Sequence, residues 1–270
     1  MSKSESKYKT RFHPCHGNNI VLYDDGTVAY RKSSFAESLV FSAEPLQLGE
    51  MFLLEIEKVE RGWSGHMRIG LTQFDPKNIH TLDSEPALPN MMKAEFSWVF
   101  AMTDSSIIWD SFWDGSHNRS GDSSQRSVKE TKLVKKGEYV HTSRGVIPYC
   151  VLKPNVDDMI ENLLPTDHGS RVGVIYVPQA NSDLAEMHFI INGEDQGAFA
   201  TNIPYKNGPL YAVVDVYGTT KQVRIIQLYN ASQTLQSACR DTILQCTKMN
   251  AVDSLPLPKQ LRNYLLFQNE

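Results

Sequence analysis

The sequence predicts an all-β antiparallel sandwich followed by a small C-terminal α-helical module. Three observations carry that expectation. As far as Asn230, apolar residues recur at every second position in short runs, the period of half-buried strands. Asp-Gly and Asn-Gly pairs separate several of those runs, and such pairs tolerate the positive φ of tight hairpin turns. Beyond Asn230 the apolar spacing changes to three and four residues, the helical step.

Residues 1–10 read as a flexible, solvated tail. Asn19 to Tyr23 and Thr27 to Tyr30 form a hairpin closed around Asp24-Asp25-Gly26. Phe52, Leu54 and Ile56 alternate along the next strand. Met67, Ile69 and Leu71 do so along another, leaving His66, Arg68 and Thr72 on its opposite face. Phe96, Trp98, Phe100 and Met102 mark a further strand, and Ile107 to Trp113 one more. Residues 115–132 contain almost no apolar side chain and predict a disordered surface loop. Asn155 to Leu164 is the one helical stretch of the body, with Asn155 as cap and Pro165 as stop. Strands resume at Arg171 to Val177, a continuous β-branched run suited to a buried strand. Met187 to Ile191 leads into Asn192-Gly193, and Leu210 to Tyr217 and Val223 to Tyr229 complete the series.

In the tail, Leu235, Ala238, Cys239, Thr242, Ile243 and Cys246 stack on one side of a helix. Pro256 and Pro258 lock φ and remove backbone donors, so Leu255 and Leu257 project from an extended segment. Leu261, Tyr264 and Leu265 resume the helical step. Spacing alone reads this region as an amphipathic hairpin capping the chain's own core.

The composition narrows the function classes. A hydrophobic share of 41% and a charged share of 21% over 270 residues suit a soluble protein with a full core. The net charge of −4 offers no basic field for nucleic acid or an anionic membrane surface. No apolar run reaches membrane-spanning length, and the polar N-terminus is not a secretory or myristoylation signal. Cys15, Cys150, Cys239 and Cys246 supply no disulfide framework and no C-x-x-C zinc pair, which fits a cytoplasmic location.

Catalytic and metal readings are weak. Gly62-Trp63-Ser64-Gly65-His66 lacks the spacing of a nucleophile elbow and lies among strands. His13, Cys15 and His16 have no second cluster to complete four metal ligands. Glu194-Asp195 reads as turn residues in water, and Cys239 as a small apolar group on a helix stripe. No residue set calls for a cofactor.

Two resemblances add to this reading. Thr234-Leu235-x-x-x-Cys239-x-x-x-Ile243 (234–243) resembles the elongin-binding BC box of SOCS-box proteins. Val252-x-x-Leu255-Pro256-Leu257-Pro258-x-x-Leu261-x-x-Tyr264-Leu265 (252–265) resembles the cullin box that follows it and selects cullin-5. The body resembles the neuralized homology domain across residues 11–230. The match runs through Phe12-His13, His16-Gly17-x-Asn19 and Phe41-Ser42-x-x-Pro45-Leu46, then Trp63-Ser64-Gly65-His66-Met67-Arg68-Ile69-Gly70. It continues in His188-Phe189-Ile190-Ile191-Asn192-Gly193-Glu194-Asp195 and Pro209-Leu210-Tyr211-Ala212-Val213-Val214-Asp215-Val216-Tyr217.

Together the resemblances imply a tail at 1–10, a neuralized homology domain at 11–230 and a SOCS box at 231–270. They imply a non-catalytic substrate receptor of an elongin B/C–cullin-5–RING ubiquitin ligase, with Leu235 and Cys239 entering a pocket on elongin C. A target protein would be bound through a short segment. A second copy of the domain and a RING finger, found elsewhere in the family, are absent from the sequence. The Asn192-Gly193 hairpin and the strand from Leu210 also resemble SPRY-type and lectin-like sandwiches, which bind peptides or glycans without a ligase role. On that alternative the C-terminal helices are a structural cap.

Overall fold

The computed structural model describes residues 9–34, 36–81, 96–104, 107–108, 133–154, 163–180, 182–229, 243, 252 and 254–265. Residues 10–229 form one compact unit, and the described residues between 243 and 265 belong to a second.

The described residues of the first unit form fifteen strands. They are β1 (Ile20–Tyr23), β2 (Val28–Arg31), β3 (Leu39–Phe41), β4 (Met51–Val59), β5 (Arg68–Thr72), β6 (Ser97–Met102), β7 (Ile107–Ile108) and β8 (Val134–Lys136). Then come β9 (Tyr139–Thr142), β10 (Gly145–Pro148), β11 (Arg171–Pro178), β12 (Ala185–Ile191), β13 (Glu194–Ile203), β14 (Tyr211–Asp215) and β15 (Thr220–Ile225). Every described strand pair is antiparallel. A seven-stranded sheet runs β1-β2-β15-β4-β11-β12-β13, and a five-stranded sheet runs β3-β14-β5-β6-β7. A small third sheet runs β10-β9-β8.

Strand alternation sorts the side chains into three apolar layers. Phe52, Leu54, Ile56, Val172, Val174, Phe189 and Val223 point from the larger sheet into the main core. There they meet Ile69, Leu71, Ala212 and Val214 from the five-stranded sheet. Their neighbours on β4, β11 and β12 face the other way. Met51, Leu53, Ile175 and Ile190 pack against Val140 and Ile147 of the third sheet and Leu152 of the adjoining 3-10 turn. On the outer side of the five-stranded sheet, Leu39, Phe41 and Val213 pack with Ile79 of the 3-10 segment Pro76–Thr81. Central strands covered on both faces need apolar residues at consecutive positions, which explains the runs Met51-Phe52-Leu53-Leu54 and Val172-Gly173-Val174-Ile175. Thr72 is likewise buried, its hydroxyl bonded to Ser97 Oγ at 2.7 Å, so the outer face of β5 is covered at that end, while Arg68 at the other is half-buried. Gly70 sits where sheet neighbours come close: a Cβ there would lie 1.9 Å from the Trp98 carbonyl oxygen.

The two hairpins differ. Ile191 pairs with Glu194, leaving Asn192 (φ 51°) and Gly193 (φ 91°) as the expected two-residue turn. At the first hairpin Tyr23 pairs with Val28, so the loop holds four residues. Asp24, Asp25 and Gly26 all have positive φ, and the amides of Gly26 and Thr27 both donate to the Tyr23 carbonyl. The expected helix at Asn155 falls on residues outside the described set, apart from Leu163 and Leu164, which are not helical. The loop 115–132 and the strand beyond Ile108 also lie outside it.

Candidate functional site

Of the residues proposed for elongin binding, Thr234, Leu235 and Cys239 lie outside the described residues, and Ile243 is helical and 36% exposed. The second box is better described. The Leu255 amide donates to the Val252 carbonyl at 3.1 Å and the Leu257 amide to the Leu255 carbonyl at 2.7 Å. This segment is therefore a compact turn, where an extended one was expected. Proline removes its own donor, but the intervening leucine amides remain able to fold back. Helix α1 (Lys259–Leu265) starts directly after Pro258, whose carbonyl accepts from the Leu261 and Arg262 amides. Val252 and Leu265 are buried, Leu255 and Leu257 half-buried, and Pro256, Pro258 and Leu261 exposed. Tyr264 lies in the helix, its side chain outside the described set. The outward residues thus include two prolines and one leucine, beside the polar Ser254, Lys259 and Gln260.

The loop end of the sandwich carries a charged and aromatic network. Arg31, at the end of β2, is fully buried and donates through Nη1 to Ser34 O at 2.8 Å and through Nη2 to Gly218 O at 2.5 Å. Its guanidinium lies 5.1 Å from the ring centroid of Trp63. Burial pulls its pKa below that of free arginine, against the pull of nearby Glu60. Glu60 accepts from Trp63 Nε1 at 3.0 Å and from Lys221 Nζ at 2.9 Å. Arg68 backs the Tyr217 ring at 4.8 Å.

Asp215, which feels the charge of both arginines, is buried and accepts from Ser38 Oγ at 2.6 Å. Burial pushes this carboxyl up to about 6, although Ser38, Arg68 and Arg31 all favour its charged form. Gly218 (φ 61°) closes the turn that brings β14 into β15; a Cβ there would meet Gly65 O at 2.1 Å. His66 bridges Thr219 Oγ1 (2.6 Å) and Asp104 Oδ1 (3.1 Å).

The structure places the histidines and the serine of the catalytic and metal readings as follows. Among the described residues Ser64 makes no hydrogen bond to a histidine, and His66 is committed elsewhere. His13 Nδ1 accepts the Cys15 amide, while His16 Nδ1 meets Gly17 O. Among the described residues no group of three or more His, Cys, Asp or Glu could hold a metal ion.

Asp195 departs from the expected solvated turn. Its side chain is 3% exposed and meets His188 Nδ1 at 2.9 Å, while Glu186 lies 3.3 Å from His188 Nε2. Sequence reasoning missed this buried imidazole between two carboxylates. Its one sign was polar residues at alternate positions of a strand otherwise fully apolar.

The comparisons with known proteins agree with this architecture. The Neuralized family model matches residues 12–227, and the SOCS box model matches residues 232–266. The chain is 38% identical over 279 residues to neuralized-like protein 2 of Homo sapiens, covering 96% of this chain and 92% of that protein. The Mus musculus protein of the same name is 38% identical over 278 residues, with the same coverage. The crystal structure of the Drosophila melanogaster neuralized NHR1 domain aligns with a TM-score of 0.51 at 20% identity, covering 81% of this chain and 98% of that one, and supports the fold. The chain belongs to the neuralized family, with one Neuralized match at 12–227 followed by a SOCS box at 232–266.

Proposed function

We propose that this protein is the target-binding adaptor of an elongin B/C–cullin-5–RING ubiquitin ligase. The observation that carries the reading is the pairing of a Neuralized sandwich with a SOCS box, whose described part turns Pro256, Pro258 and Leu261 outward. Exposed apolar side chains on a short helical module suit docking in a partner's groove. The mechanism is proximity. Holding a target lysine beside a charged ubiquitin-conjugating enzyme raises its effective concentration and requires no reacting group on this chain. Thr234, Leu235, Cys239 and Ile243 would engage elongin C. Val252, Leu255, Pro256, Leu257, Pro258, Leu261, Tyr264 and Leu265 would form the cullin box. Within that box the burial of Val252 and Leu265 suits packing of the module, and the exposed Pro256, Pro258 and Leu261 suit contact with the cullin. The machinery it would join places the work in the cytoplasm.

Co-expression with elongins B and C tests the assignment. Leu235→Asp combined with Cys239→Asp should abolish elongin capture while the sandwich keeps its melting temperature. Leu255→Ala with Pro256→Ala should spare elongin capture and weaken cullin-5 recruitment. Undiminished elongin capture by the first variant would return the C-terminal segment to the role of a cap on a plain binding module. Full cullin occupancy by the second would remove the cullin assignment.

A further inference from the structure

The third sheet covers the outer face of the seven-stranded sheet only over β4, β11 and β12. Among the described residues nothing covers that face over β1, β2 and β15, where it forms a groove of about 460 Å³. Its floor and walls come from alternation. Leu22, Ala29, Val223 and Ile225 point into the main core, so Tyr23, Tyr30 and Arg224 must point out of it. The four-residue loop after β1 closes one end with Asp24, and Lys58 and Gln222 supply the side opposite Tyr23.

The polar groups in and around this groove are unevenly matched. Every carboxylate is already engaged: Asp24 meets Arg224 at 2.8 Å, and Glu57 accepts from both Arg224 and Gln222. Glu60, just beyond, holds Lys221. Three donors have no such commitment. The Lys58 ammonium and the hydroxyls of Tyr23 and Tyr30 make no hydrogen bond or ion pair with any described residue. Lys58 Nζ stands 5.6 Å from the Tyr30 ring centroid, and the two tyrosine rings lie 6.2 Å apart at 55°. The groove therefore offers two aromatic surfaces for apolar contact and spare donors for an acceptor.

We propose that this groove docks an extended acidic segment of a target protein, seating a carboxylate on Lys58 and the Tyr23 and Tyr30 hydroxyls. A basic segment would find its carboxylate partners occupied. A carboxylate would find an ammonium already positioned by an aromatic ring, and charge-assisted bonds of this type are among the stronger ones. The chain's net charge of −4 disfavours acidic ligands at long range, so capture of one reports a local site and not a general field. Naming the partner as a ligase target rests on the adaptor function proposed for the whole chain. The groove itself is tested on the chain alone.

The experiment is fluorescence polarisation of the full-length protein with fluorescein-labelled hexaglutamate as probe and labelled hexalysine as control. Saturable hexaglutamate binding is expected, weakening as salt rises from about 50 to about 300 mM. Lys58→Glu and Tyr30→Ala should each weaken it about tenfold or more, Lys58→Arg should retain it, and Val146→Ala on the exposed side of the third sheet should leave it unchanged. Both altered side chains are at least partly solvent-exposed, so melting temperatures should stay within about 2 °C of wild type. No binding by wild type, equal binding of hexalysine, wild-type affinity in Lys58→Glu, or self-association lost in Lys58→Glu would each overturn the proposal. Elongin capture is measured on the same preparations. Its retention alongside a failed groove sinks the groove alone, and its loss alongside an intact groove sinks the adaptor reading alone.

Discussion

Asp215 lies within the electrostatic reach of Arg68 and Arg31 at the loop end of the sandwich, and its burial has a pH signature. The carboxyl is pushed from 3.8 up to about 6 in the fold. A raised carboxyl pKa means that the folded state holds the proton more tightly than the unfolded chain does. Its contribution is present at pH below 3.8 and is lost as pH rises through about 6, after which it stays constant. The swing is on the order of 3 kcal/mol at most. Asp215→Asn keeps an acceptor for Ser38 and is expected to flatten stability against pH across that window. Thermal unfolding at a series of pH values measures it, and an unchanged slope in the variant would place the titration elsewhere. None of this is legible in the sequence. There, Asp215 is the polar end of an apolar strand, and Arg31 has the pattern of an exposed strand terminus. Arg31 Nη2 donates to Gly218 across 187 positions, and no local pattern encodes a contact of that span.

Phe189, on β12, sits at the centre of an aromatic group, with ring centroids 5.1 Å from Phe199 and 5.8 Å from Phe100 in edge-on arrangements. It is fully buried. Truncation to alanine removes those contacts and leaves a cavity that neighbouring strands cannot fill, so Phe189→Ala is expected to cost about 3–5 kcal/mol. Urea unfolding monitored by circular dichroism measures the loss; a cost below about 1 kcal/mol would mean that the core closes over the gap. At this scale much is legible in the sequence. Period-two alternation locates β4 and β5, because a side chain's face in a strand is fixed by its parity. Hairpin closure is legible at Asn192-Gly193, where two residues meet the turn's demand. It is only partly so at Asp24-Asp25-Gly26, where three successive residues with positive φ lengthen the loop. The turn at Leu255 to Leu257 differs from the extended segment expected there, because proline's restrictions do not remove the amides of the leucines beside it.

At the scale of the whole molecule, the C-terminal boundary of the sandwich is set by the outer core. Ile226, Leu228 and Tyr229 pack beside Met51 and Leu53, and the Met51 amide donates to the Tyr229 hydroxyl at 2.9 Å. A chain ending after Tyr229 is therefore expected to unfold cooperatively near the full-length midpoint. One ending after Ile225 loses that cover and should unfold several degrees lower, since each kcal/mol is worth about 2–4 °C at this size. Differential scanning of the two truncations measures it, and equal midpoints would show the segment from Ile226 to Tyr229 to be dispensable. The sequence by itself determined the sandwich, the family motifs and the spacing of the C-terminal boxes, because alternation, turn chemistry and motif order are properties of neighbouring residues. Only the tertiary structure decided that Asp195 meets a buried histidine, that Val252 and Leu265 are enclosed, and that Lys58 faces two tyrosines across an open groove. Those facts depend on which strands lie side by side and which faces are left uncovered, and that is fixed by packing between residues far apart in the chain.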